Sequence, residues 1–267
     1  MSVEHLWAPA KLTVSLEVTG RRPDGYHEIR AEMVSLDLCD ELEVDGEGNG
    51  LEVVCDDAAR ARGLTSDDAN LVRRALAVVG RTAHVRLHKR IPVGGGLGGG
   101  STDAAAILRW AGETDHRVAA GLGADVPFCV AGGRAMVRGV GEEVEPLAFE
   151  HRTFVLVVPP FGVDTGAVYR TWDALADRRK GSIRNDRHAV NDLTDAALET
   201  EPRLIAWRDA IADLTGHVPT LAGSGSTWWL EGSSATLGLT RLRVGSDEGS
   251  IIDVRTVPAG WSPSITS

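Results

Sequence analysis

A chain of 267 residues, 43% hydrophobic and 25% charged, is long enough for one large domain or two modest ones. Its net charge of −10 argues against a nucleic-acid surface, which requires a face rich in Lys and Arg. Three scattered cysteines (Cys39, Cys55 and Cys129), no CxxC pair and dispersed histidines speak against a disulfide framework and against familiar metal-ligand spacings.

The first residues lack a basic segment followed by an apolar one. No apolar run approaches the roughly 18 residues of a membrane span, so a soluble, cytoplasmic protein is expected. Residues 3–7 and 12–19 read as strands. In the second, Leu12, Val14, Leu16 and Val18 alternate with Thr13, Ser15, Glu17 and Thr19. A turn at Gly20–Gly25 leads to strands at 28–38, 41–45 and 51–55. A helix opens at Asp67-Asp68-Ala69-Asn70 and runs to Val79, with Gly80 past its end. A strand at 84–90 precedes a glycine-rich loop. The helix from Ser101 to Trp110 would be capped by Ser101, Thr102 or Asp103. Phe128–Ala131 and Arg134–Arg138 read as a hairpin through Gly132-Gly133.

Beyond residue 150 come a strand at 153–158 and helices at 165–177, 189–198 and 202–214, the last with Pro202 in its first turn. A strand at 227–230, a helix near 234–242 and a strand at 251–257 complete the chain. The pattern is α+β, in two lobes meeting near residue 150.

The most informative segment is Pro92-Val93-Gly94-Gly95-Gly96-Leu97-Gly98-Gly99-Gly100-Ser101-Thr102-Asp103, six of whose twelve residues are glycine. Glycine this dense carries an entropic cost and suits backbone N–H groups that must approach a large anion, with a helix N-terminus behind them. A P-loop is ruled out, because no lysine lies between Gly100 and Ser101. A dinucleotide fingerprint fits literally as Gly94-x-Gly96-x-x-Gly99. Its context does not fit: His84–Ile91 alternates like a half-exposed antiparallel strand, and Glu113 and Asp115 fall in a loop.

Four other segments are weak taken singly. Lys11, in Ala8-Pro9-Ala10-Lys11, taken alone reads as a snorkelling surface lysine. Asp125, in Gly123-Ala124-Asp125-Val126-Pro127, taken alone reads as a turn or cap residue. In Arg22-Pro23-Asp24-Gly25-Tyr26-His27, Tyr26 offers a flat face and His27 a hydrogen-bonding edge, or Tyr26 packs on the core. Ala222-Gly223-Ser224-Gly225-Ser226 permits close backbone approach, or is a tight turn.

Pro92-x-x-x-Gly96-Leu97-Gly98-Gly99-Gly100-Ser101 resembles the loop Pro-x-x-x-Gly-Leu-Gly-Ser-Ser-x-Ala of the GHMP kinases. With Ala8–Leu12, Arg22–His27, Asn70–Ala75, Leu122–Pro127 and Leu221–Gly225 in order, nearly the whole chain resembles one branch of that superfamily. That branch is the 4-diphosphocytidyl-2-C-methyl-D-erythritol kinase family of non-mevalonate isoprenoid synthesis. The departures are Thr13 where members usually carry asparagine, a short 110–122 connection, and a heavy Trp228-Trp229 pair.

The resemblance implies a ribosomal-S5-like nucleotide-binding domain over 1–150 and a ferredoxin-like domain over 151–267, with the site between them. It implies Lys11 and Asp125 as catalytic residues: Asp125 would accept the proton of the substrate's C2 hydroxyl, and Lys11 would favour the developing charge. Pro92, Val93, Gly94, Gly95, Gly96, Leu97, Gly98, Gly99, Gly100, Ser101 and Thr102 would seat ATP as Mg-ATP, with Ser101 facing phosphate or Mg²⁺ and Asn70 on the adenine side. Tyr26, His27, Thr13, Gly223 and Ser224 would hold the substrate, with Tyr26 stacked on its cytosine. The implied partner is a small molecule with a cytidine diphosphate moiety, with no nucleic acid and no membrane, for a monomer or homodimer. The rivals are a homoserine- or mevalonate-type kinase, an inactive nucleotide-binding paralogue, and an oxidoreductase resting on the glycine fingerprint alone.

Overall fold

The computed structural model describes residues 3–55, 65–178 and 190–263. Two long strands dominate the first half: β1 (Glu4–Arg21) and β2 (His27–Asp45). Each is one continuous strand where the sequence suggests two. They form an antiparallel hairpin in which β1 shifts register between Pro9 and Lys11, Thr13 and Ser15, and Val18 and Gly20. Then come β3 (Gly50–Val54), α1 (Leu71–Val78), β4 (His84–His88), α2 (Gly99–Trp110), α3 (His116–Ala120), α4 (Val126–Ala131), β5 (Arg134–Gly139) and β6 (Glu143–Pro146). The second half holds β7 (Thr153–Val158), α5 (Thr165–Arg178), α6 (Thr194–Thr200), α7 (Arg203–Thr215), β8 (Thr220–Leu221), β9 (Trp228–Glu231), β10 (Arg243–Val244), β11 (Asp247–Glu248) and β12 (Ser250–Val257). Among the described residues no helix is long and apolar enough to cross a membrane.

β2 is the spine. It pairs with β1 along its length, with β5 through Ile29–Val34, and with β4 through Glu41–Asp45. At Ser35 and Leu36 it meets the end of β12, which also pairs with β7. The last strand of the chain therefore joins the sheets of the two halves. β4 lies antiparallel to β2 as its alternation predicts, and β3 adds to its other edge in parallel.

One core cluster places α1, α2 and α4 against the apolar face of β1, β2 and β4, through Ala8, Leu42, Val44, Val85, Leu87, Ile107 and Phe128. A second joins the halves through Leu12, Leu36, Ile91, Leu97, Phe154, Ala222 and Trp229. Trp228 and Trp229 are both buried, one in each cluster, so the heavy pair is core material.

Three local expectations are corrected. Residues 126–131 form α4, with Pro127 in its first turn, where its missing N–H is no loss. Residues 234–242 form turns, not a helix. Ser234 hydrogen-bonds Asp253 through its N–H and its hydroxyl, and Ser233 and Thr236 bond one another's polar groups. Such local bonding competes with the helical ladder. The helix expected at 189–198 begins at Thr194. Before it, the Asn191 side chain donates to the carbonyls of Leu221 (2.9 Å) and Gly223 (2.6 Å).

Beneath the glycine loop lies a buried ion triad. Lys89 Nζ donates to Asp40 and, at 2.7 Å, to Asp103 Oδ2. Asp40 also accepts the N–H groups of Arg90 (2.5 Å) and Ile91 (2.8 Å). Burial, opposed by Lys89 and reinforced by Asp40, pushes the Asp103 carboxyl up to about 8. Truncating one member of such a network strands the others without a partner. Asp40→Ala is therefore expected to lower unfolding free energy by about 3–5 kcal/mol in urea titrations; a loss below about 1 kcal/mol would show the triad to be structurally idle.

Candidate active site

A cavity of about 510 Å³ opens between the two halves. The first register shift in β1 builds its floor. Pro9 has no N–H to give, the ladder slips, and the Lys11 N–H donates instead to Leu97 O of the glycine loop at 3.0 Å. Lys11 is buried, its side chain 6% exposed, with Nζ 3.2 Å from Asp125 Oδ2 and 3.1 Å from Thr13 Oγ1. Asp125 precedes α4 in the capping position but its side chain makes no cap bond, so its carboxylate faces the lysine.

The glycine loop wraps over this pair. Gly94, Gly96 and Gly98 all have positive φ (71°, 77° and 70°). α2 begins at Gly99 behind Gly98, which has no side chain to cap with. This corrects the expectation that Ser101, Thr102 or Asp103 is the cap. The first intrahelical bond is Thr102 N–H to Gly98 O, so the N–H groups of Gly99, Gly100 and Ser101 lie outside the ladder at the positive end of the helix. Leu97, 1% exposed, pins the loop into the second core cluster. A Cβ on Gly96 would fall 2.4 Å from Ala222 O, and one on Gly98 would fall 2.6 Å from Lys11 Cγ.

Most of the sequence-derived positions meet here. Lys11, Thr13, His27, Asn70, Asp125, Gly223, Ser224 and the run from Pro92 to Ser101 all line the cavity. Asn70 also caps α1, accepting Val72 N–H at 2.9 Å, one turn later than the helix start read at Asp67. Two positions lie elsewhere. Thr102 is buried and donates its hydroxyl to Pro9 O at 2.7 Å. Tyr26 is 65% exposed at the hairpin tip and is not among the cavity-lining residues.

In its place the cavity presents Tyr169 of α5, whose ring stacks on His27 with centroids 4.7 Å apart. Burial, then the negative charge of Asp125, pushes its phenol up to about 12, so the ring is neutral. Asp173, one turn further along α5, takes His27 Nε2 at 2.6 Å and lies 3.3 Å from Arg21. Thr165 and Ser224 share a hydroxyl–hydroxyl bond at 2.8 Å. The sequence reading missed Tyr169, Asp173 and Lys89. Tyr169 and Asp173 stand four apart on a predicted helix, a weak signal that gains meaning once His27 is known to face them.

The model of the GHMP kinases N terminal domain matches residues 69–133, which span α1, the glycine loop, α2 and Asp125. A 4-diphosphocytidyl-2-C-methyl-D-erythritol kinase of an Acidovorax species is 40% identical, over 95% of this chain and 90% of its own length. One from Paracoccus denitrificans is 36% identical, over 89% of this chain and 90% of its own. The chain belongs to the 4-diphosphocytidyl-2-C-methyl-D-erythritol kinase family. A crystal structure of 4-(cytidine 5'-diphospho)-2C-methyl-D-erythritol kinase superposes with a TM-score of 0.68, at 28% identity, over 95% of this chain and 100% of that one. A homoserine kinase from Cytophaga hutchinsonii shares the fold at 16% identity and a TM-score of 0.59. The α+β GHMP kinase fold is thus the observed one, and the oxidoreductase rival is removed.

For a kinase of this family, the spacing between Gly98 and Lys11 becomes a test of the site. Gly98→Ala is expected to displace the lysine and lower kcat about 100-fold, with far-UV circular dichroism unchanged; a kcat within twofold of wild type would refute the coupling.

Proposed function

We propose that this chain transfers the γ-phosphoryl group of ATP to the C2 hydroxyl of 4-diphosphocytidyl-2-C-methyl-D-erythritol, in a site between lobes spanning 1–150 and 151–267. The observation that carries this reading is the Lys11–Asp125 pair at 3.2 Å, placed under a loop of backbone donors. Asp125 accepts the hydroxyl proton as the bond to phosphorus forms. Lys11 stabilises the charge that develops on the attacking oxygen and on the transferred group. Phosphoryl transfer asks mainly for positioning and charge stabilisation, and the pair supplies both.

The N–H groups at the start of α2 and the loop take the triphosphate, and Asn70 borders the adenine side. Ser101 lines the cavity, while the Thr102 hydroxyl is spent on Pro9 O, so Ser101 is the residue that fits a magnesium contact. Bound Mg²⁺ would supply charge neutralisation between the phosphates. The cytosine is gripped beside His27 by Tyr169, with Tyr26 closing from the hairpin tip. That binding energy holds the reacting hydroxyl in place. Thr13 offers Lys11 a hydroxyl oxygen as acceptor.

A coupled ATPase assay with three acceptors tests the reading. Turnover is expected with the cytidine diphosphate substrate; equal turnover with mevalonate or homoserine would overturn it. Asp125→Asn is expected to abolish transfer and leave ATP binding intact by calorimetry, so wild-type turnover in that variant would remove the proton-acceptor role. Tyr169→Ala and Tyr26→Ala are each expected to raise KM for the cytidine substrate more than they lower kcat, Tyr169→Ala the more strongly.

A further inference from the structure

The sheet face turned away from the helices carries a second cluster that the kinase reading does not use. His5 of β1 stands opposite Glu43 of β2, and Glu41 of β2 stands opposite His88 of β4. Cross-strand partners and residues two apart share a face, so all four side chains project to the same side. Their neighbours Leu6, Leu42 and Leu87 point the other way and pack in the first core cluster. None of the four lines the catalytic cavity.

From this geometry we propose that His5, Glu41, Glu43 and His88 form a binding site for one divalent cation of borderline softness, of which Zn²⁺ is the type. The ligand atoms of His5, Glu41 and Glu43 already lie within 4.8 Å of one another. Two separations are shorter: His5 Nδ1 to Glu41 Oε1 is 3.1 Å, and His88 Nε2 to Glu43 Oε1 is 3.4 Å. A tetrahedral ion with bonds of about 2.0–2.1 Å has ligand–ligand edges of about 3.3–3.4 Å. Each pair taken singly is spaced as such an edge, and His88, which stands outside the group of three, would close on it from the Glu43 side as the ion binds.

Three further features fit. His88 Nε2 is shielded from solvent and, among the described residues, has no hydrogen-bond partner, although it faces a carboxylate. Arg90 donates to Glu41 Oε2 at 3.1 Å, which leaves Oε1 turned toward His5 as an outer-shell donor would leave it. Arg86, opposite Glu43, ion-pairs with Glu52 of β3 and not with Glu43. Two imidazoles select against the hard, all-oxygen preference of Mg²⁺, so the site would not compete with Mg-ATP. Two carboxylates balance the charge of the ion. A bound ion would tie β1, β2 and β4 together near the start of the chain.

The rival account is that the four side chains are two ion pairs held by protons. Chelator-stripped full-length protein separates the two. One equivalent of Zn²⁺ is expected to bind in competition with a chromophoric chelator and to raise the thermal midpoint. Co²⁺ in its place is expected to give the intense visible bands of tetrahedral coordination. Both signals should vanish in His5→Gln and in Glu43→Gln, while kinase turnover with Mg-ATP stays at the wild-type level and reports an intact fold. An octahedral Co²⁺ spectrum, or Zn²⁺ binding equal in wild type and both variants, would overturn the site.

Discussion

The glycine loop can sit where it does only because hydrogen atoms, and no side chains, occupy Gly96 and Gly98. One would put a Cβ into the carbonyl of Ala222, the other into the stem of Lys11. Both lie at positive φ, where glycine alone carries no steric penalty. This constraint fixes three things together: the distance of the loop from Lys11, the approach of the second half through residues 222–225, and the exposure of the first N–H groups of α2. The entropic cost of a loop this rich in glycine is offset by Leu97, which buries its side chain among Leu12, Ile91 and Trp229.

Support for the loop comes from below and from behind. Below it, Lys89 joins β4 to α2 and β2 through two buried carboxylates, with two backbone N–H groups completing the coordination of Asp40. Behind it, the register slip after Pro9 diverts the Lys11 N–H to Leu97 O. The irregularity in β1 is thus part of how the site is built. α5 closes the other side, presenting Tyr169 and Asp173 to His27 of β2 across the junction of the halves.

Much of this was legible in the residues. The alternation of Leu12–Val18, the glycine-rich loop and the Ala-Asp-Val-Pro turn around Asp125 each carry a local physical signal. What failed did so for local reasons. α4 was hidden because a six-residue helix opening on proline has too few turns to show a period. The turns at 234–242 looked helical until Asp253, distant in sequence, drew Ser234 away. Asp103 looked like a cap because it stands near the start of α2, yet its carboxylate is committed to Lys89.

The sequence by itself determined the family: the glycine loop, the segments around Lys11 and Asp125, and their order along the chain. These are signatures of short spacing, and they survive without coordinates. Only the tertiary structure decided which aromatic faces the cavity. The two tyrosines, Tyr26 and Tyr169, are equivalent as composition, and their difference lies in where the hairpin tip and α5 are carried. It alone brought His5, Glu41, Glu43 and His88 to one face, because strand register joins residues that no linear spacing connects. Short-range motifs are written along the chain; the pairing of β1, β2 and β4 is set by burial of their opposite, apolar face.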